Sequence, residues 1–83
     1  MQFDFSKLLG RIKECGFTQE TLAREIGMTK STMSQKLNNK AYFTLLEMAK
    51  IQNVLGIAVD DMGIYFFARK VQKNGTEQPD QEA

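Results

Sequence analysis

The chain has 83 residues, 42% of them hydrophobic and 25% charged, with a formal net charge of +1. A chain this short forms one domain around a thin core. The absence of histidine leaves no base for a serine–histidine or cysteine–histidine nucleophile system, and the single cysteine, Cys15, can neither form an intrachain disulfide nor complete a zinc site.

In chain order, the start MQFDFSKLLGRIKECG carries charges every few residues and has no apolar run of the kind a signal peptide needs. A first helix is predicted over residues 5–14, where Phe5, Leu8, Leu9, Ile12 and Cys15 follow the spacing of one buried face, and Gly16 ends it. Three sites then repeat one pattern. Phe17-Thr18, Met28-Thr29 and Phe43-Thr44 each place an apolar residue before a threonine, and another apolar residue (Leu22, Met33, Met48) follows four positions later. This is hydrophobic-staple spacing with threonine as N-cap, and Thr44 with Glu47 adds a capping box. Helices are therefore predicted over 19–26, 30–37 and 45–55. Gly27 and Gly56 serve as stops, and the stripe Leu45, Met48, Ile51, Leu55, with Val54 beside it, turns inward on the last helix.

Asp60 and Asp61 suit the first turn of a short fifth helix, where the helix dipole favours acids. The stretch IYFFARKVQ then loses helical periodicity and reads as a short extended arm, with a continued helix as the alternative. The organisation expected is a domain over 1–66, an arm over 67–73 and a disordered acidic tail over 74–83. That tail holds Glu77, Asp80 and Glu82 and no base, so the preceding 73 residues carry all 11 bases against seven acids. No stretch approaches the ~18 apolar residues of a membrane span. A cytoplasmic protein, in the bacterial cytoplasm or nucleoid of a host, is expected. No cofactor, metal, small-molecule ligand, membrane contact or enzymatic activity is expected.

Between Glu25 and Glu47 there is no acid at all, and within that run GMTKSTMSQKLNNK holds Lys30, Lys36 and Lys40 among serine, threonine, asparagine and glutamine. The second helix, the turn Gly27-Met28-Thr29 and the third helix can share a core of Leu22, Ala23, Ile26, Met33 and Leu37, which is the organisation of a helix-turn-helix unit. If Met33 and Leu37 point inward, Ser31, Ser34, Gln35 and Asn38 face outward and Lys30 projects from the first turn. Gln35 can then pair with adenine N6/N7 and Lys30 with guanine O6/N7.

The run TQETLAREIGMTKSTMSQKLNNKAYFTLLEMAKIQNVLGIAVDDM resembles the lambda-repressor/Cro-like helix-turn-helix family. The resemblance rests on T-Q opening helix 2, the L-A pair, I-G before the turn, T-K-S-T opening helix 3, K-L-N after it and L-G-I after helix 4. Two departures are Asn39, where the family usually has glycine, and Ala58, where it often has a serine or threonine cap. The resemblance implies an all-α, compact five-helix lambda-repressor-like domain. It also implies a sequence-specific double-stranded DNA-binding transcriptional regulator, a Cro-like repressor of phage or prophage type that lays residues 30–37 in the major groove of a palindromic operator. Bases would be read by Lys30, Ser31, Ser34 and Gln35. Phosphates would be held by Gln19, Thr29, Lys36, Asn38, Asn39, Lys40 and Thr44, with the threonines acting as caps first.

One such domain covers only a few base pairs, so a two-fold homodimer is expected. The contact is expected through Ile57, Ile64, Tyr65, Phe66, Phe67 and Val71, with folding of these residues onto the monomer core as the alternative. A different functional class is a protein-interaction module of antirepressor or antitoxin type that uses the same aromatic C-terminal segment. Steep salt dependence of DNA affinity separates the two.

Overall fold

Local capping chemistry sets where the helices begin. In the computed structural model, which describes residues 2–70, the elements are α1 (Ser6–Glu14), α2 (Gln19–Ile26), α3 (Lys30–Leu37), α4 (Leu45–Leu55), a 3-10 turn (Val59–Asp61) and α5 (Met62–Phe66). The hydroxyls of Thr18, Thr29 and Thr44 accept from the amides of Thr21, Thr32 and Glu47, each at 3.1 Å. Glu47 returns the bond to the Thr44 amide at 2.9 Å, and Thr21 does the same for Thr18 at 2.8 Å. These reciprocal bonds satisfy donors that the first helical turn leaves free, and α2, α3 and α4 accordingly keep their predicted bounds. Helix α1 begins one residue later than predicted. The Asp4 carboxylate accepts from the Ser6 amide at 2.9 Å, which leaves Phe5 as the flanking residue. The hydrogen bonds from Ser6 hold the Asp4 carboxyl below its ordinary range. Gly27 and Gly56 end α2 and α4 at φ +80° and +65°, a left-handed conformation that glycine adopts at little cost.

The five helices bury one continuous core that draws on Leu8, Leu22, Met33, Ile51, Leu55 and Phe66. Among the described residues there is no strand, only an isolated antiparallel bridge between Phe3 and Arg69. The all-α, five-helix expectation is met. Two positions depart from the predicted stripes. Leu45 lies six residues before Ile51, about 120° from it around the helix at 100° per residue, and is exposed rather than inward. Leu9 sits at the margin of the α1 stripe and is also exposed.

Over residues 67–70, the part of the C-terminal arm that the structure describes, the helix is not continued, and the pairing partner is the N-terminal segment of the same chain. The Asp4 amide donates to the Ala68 carbonyl at 2.6 Å and the Lys70 amide to the Gln2 carbonyl at 3.1 Å. These bonds flank the Phe3–Arg69 pair, so the N–H and C=O of Phe3 point to the opposite edge. There the Asn39 side chain takes both: Oδ1 accepts from Phe3 N at 2.8 Å and Nδ2 donates to Phe3 O at 3.0 Å. Asn39 itself holds φ +64°, a conformation asparagine tolerates better than most residues.

This folding-back corrects part of the expected dimer contact. Ile57 and Phe66 are buried core residues, Phe66 packed edge-to-face on Phe43, and neither is available to a partner. Tyr65 is half-buried against the core, and Ile64 and Phe67 remain about half exposed. Val71 and the acidic tail lie outside the described residues.

Candidate functional site

Helix α3 is anchored by Met33 and Leu37, both buried, and this fixes what its other faces present. Lys30, Ser31 and Gln35 are exposed, as the spacing predicts. Ser34 is half-buried, because the Asn38 amide folds over it and donates to Ser34 O at 2.8 Å and to Ser34 Oγ at 3.3 Å. Gln19 is half-buried in the first turn of α2, while Thr29, Lys40 and Thr44 are exposed at the ends of α3 and the start of α4. The Thr29 hydroxyl also donates to Thr32 Oγ1 at 2.9 Å, so its first role is local.

Two of the predicted phosphate ligands are committed elsewhere. Lys36 is buried, and its Nζ lies 2.5 Å from Glu47 Oε1. The reason is periodicity: residue 36 is three after Met33 and one before Leu37, which turns it toward α4. Burial pushes the Glu47 carboxyl up, but the bonds from Lys36 and from Thr44 outweigh it and the net is below the ordinary range. Asn39 spends its amide on the Phe3 backbone, as described above. The acid-free segment thus presents two outward lysines, Lys30 and Lys40.

Sequence reasoning missed Lys50. This exposed residue of α4 lines a cleft of about 380 Å³ between the starts of α3 and α4, shared with Thr29, Thr32, Thr44 and Leu46. Among the described residues, Lys30, Lys40 and Lys50 form no ion pair. The second omission is an apolar shoulder beside α3. Tyr42, Leu45 and Leu46 are 71%, 81% and 65% exposed on the connection into α4 and its first turn. Tyr42 also borders a groove of about 330 Å³ lined by Phe3, Phe43, Met48 and Phe67. The only available signal was the mismatch of Leu45 with the 3.6-residue period.

The described residues contain no group of three metal-ligating side chains, and no helix is long and apolar enough to cross a membrane. The exposed side chains here offer hydrogen bonds, cations that form no ion pair among the described residues, and apolar area.

A search of curated protein sequences gave no match. Among solved structures, the fold is similar to the solution structure of the modulator of repression (MOR) of the temperate bacteriophage TP901-1 from Lactococcus lactis. The TM-score is 0.71 and the identity 39%, over 87% of this chain and 97% of that one. Residues 1–69 match the family model described as a protein of unknown function, DUF739, and the chain belongs to that family.

Proposed function

We propose that the chain modulates repression in a temperate phage by docking on another protein of the repression apparatus, a DNA-binding repressor, through the shoulder of α3 and α4. The observation that carries this reading is the exposure of Tyr42, Leu45 and Leu46 within one short stretch of chain, on the connection into α4 and its first turn. Large apolar side chains grouped at a monomer surface mark interaction sites. A protein–protein patch combines an apolar centre with polar surroundings, and Lys30, Ser31, Gln35 and Lys40 are exposed polar residues on and just after α3. Lysines that run along DNA phosphates gain nothing from neighbouring leucines. The similarity to a modulator of repression supports the same reading. The contact differs in place from the aromatic C-terminal segment, much of which is spent on the core. Calorimetry of the chain with a repressor from the same phage is the test. L45Q/L46Q should abolish binding, and wild-type affinity in that variant would refute the assignment.

A second reading has its own support: a sequence-specific double-stranded DNA-binding regulator of Cro-like type, with α2 and α3 as a helix-turn-helix. Lys30, Ser31 and Gln35 are exposed on an acid-free helix, and Lys40 and Lys50 are exposed and form no ion pair among the described residues. On this reading Gln35→Ala loses about 1–3 kcal/mol of discrimination at one base position, whereas Gln19→Ala weakens binding to all sequences alike. A palindromic operator would require a two-fold homodimer, for which Ile64 and Phe67 remain accessible. Light scattering that finds a monomer on DNA counts against the dimer. A flat salt dependence of duplex binding counts against the DNA reading itself.

A further inference from the structure

We infer that Phe3, held in place by Asn39, is a positioning residue for partner binding: its ring keeps Tyr42 in the orientation in which the docking shoulder presents it. The inference rests on the proposed docking through Tyr42, Leu45 and Leu46. Leu45 and Leu46 stand on the first turn of α4, whose backbone the Thr44–Glu47 capping box fixes. Tyr42 lies outside any helix, in the connection between α3 and α4, and is 71% exposed. A large exposed side chain without support gives up rotamer freedom when a partner immobilises it, and that loss is worth about three- to ten-fold in affinity.

Phe3 supplies the support. Its ring meets the Tyr42 ring edge-to-face, with centroids 6.4 Å apart and planes at 73°, a favoured geometry for an aromatic pair. Phe3 also lies outside any helix, yet its backbone is held from both sides. On one side its neighbours are tied to the arm, Asp4 N to Ala68 O at 2.6 Å and Lys70 N to Gln2 O at 3.1 Å. On the other, Asn39 accepts from Phe3 N at 2.8 Å and donates to Phe3 O at 3.0 Å. The ring is steadied in turn by Phe67, edge-to-face at 6.2 Å. Asn39 and Tyr42 are three residues apart on the same stretch of chain. One grips the Phe3 backbone and the other packs on the Phe3 ring, so a single distant residue braces the stretch at two points. Phe3 is half-buried at the margin of the core, beside the groove it shares with Tyr42. The clasp therefore orders a surface rather than the interior.

The test measures calorimetric affinity for a repressor from the same phage, at a temperature where circular dichroism shows every variant folded. Phe3→Leu keeps an apolar side chain but no ring, and should bind about three- to ten-fold more weakly than wild type. Asn39→Gly keeps the left-handed backbone at ease but releases Phe3, and should weaken binding in the same direction. In the free chain, NMR of both variants should show the Tyr42 ring resonances moved toward random-coil values, a change that support of the core alone would not produce. Wild-type affinity in Phe3→Leu and Asn39→Gly, in a chain that L45Q/L46Q still disables, would overturn this inference and leave the docking reading standing. A loss of affinity with the Tyr42 resonances unmoved would also overturn it, because the effect would not pass through Tyr42. Wild-type affinity in L45Q/L46Q, or no binding by the wild-type chain, would overturn the docking reading and this inference with it.

Discussion

Glu47→Ala removes one carboxylate with two structural duties, and its cost can be assembled from them. The bond from the Thr44 amide to Glu47 Oε1, half of the α4 capping box, contributes about 0.5–1 kcal/mol. The larger part comes from Lys36, whose ammonium loses its partner while its side chain stays 11% exposed. Stranding a fully buried charge costs about 3–5 kcal/mol. Glu47 keeps some contact with water, so about half of that applies, and the total is about 2–3 kcal/mol. In a domain of this size that corresponds to a fall of about 10–20 °C in Tm. K36M/E47L removes both charges and should return to within about 1 kcal/mol of wild type, because a buried pair can be replaced by apolar volume. The pH dependence has a definite sign. The Glu47 carboxyl lies below its ordinary value of 4.5 in the folded chain. Its contribution is therefore complete above that value and is lost as pH falls through the folded value. Urea denaturation followed by circular dichroism at pH 7 and through pH 5 to 3 measures all of this. A loss under 1 kcal/mol for Glu47→Ala, or a double variant no more stable than the single one, would refute the account.

Other expectations rest on single contacts. Asn39→Ala should cost about 2–3 kcal/mol, since it loses both bonds to Phe3 and must still hold a left-handed backbone. Asn39→Gly keeps the backbone at ease and should cost about 1 kcal/mol. In both variants hydrogen exchange at the Phe3 amide should accelerate. Gly27→Ala meets no atom within 4 Å, so its expected loss of about 1 kcal/mol in chemical denaturation reports the φ of +80° alone. Leu45→Gln and Leu46→Gln should each leave folding stability within about 0.5 kcal/mol, so that any loss of partner binding is read as loss of contact.

The sequence was most legible where short-range chemistry decides the outcome. Thr18, Thr29 and Thr44 act within one helical turn, and the three helices they open have the bounds the caps predict. It was least legible where residue type and position conflict. A lysine in a polar, acid-free run reads as surface, yet the period places Lys36 beside Met33 and Leu37, and a partner eleven residues away, Glu47, makes burial tolerable. That partner is invisible to any local pattern. The reverse holds for Leu45 and Leu46, whose apolar character suggests the core although the period turns them out. On the α3 face the same period sets Ser31, Gln35 and Asn38 outward, whereas Ser34 is half-buried under the Asn38 amide. Asparagine at position 39 signals tolerance of a left-handed turn, but its bond to a segment thirty-six positions away has no local signature.

The Asn39 clasp also closes an edge at which another molecule could pair. A strand with free N–H and C=O groups along one side is a template for pairing with another molecule. The Phe3 segment would be such a strand, because the arm covers only one of its sides. The Asn39 amide presents one donor and one acceptor to the other side and ends the ladder there with a single side chain. In Asn39→Gly the open Phe3 edge should favour strand exchange and slow aggregation at high concentration, even though each folded monomer loses little stability.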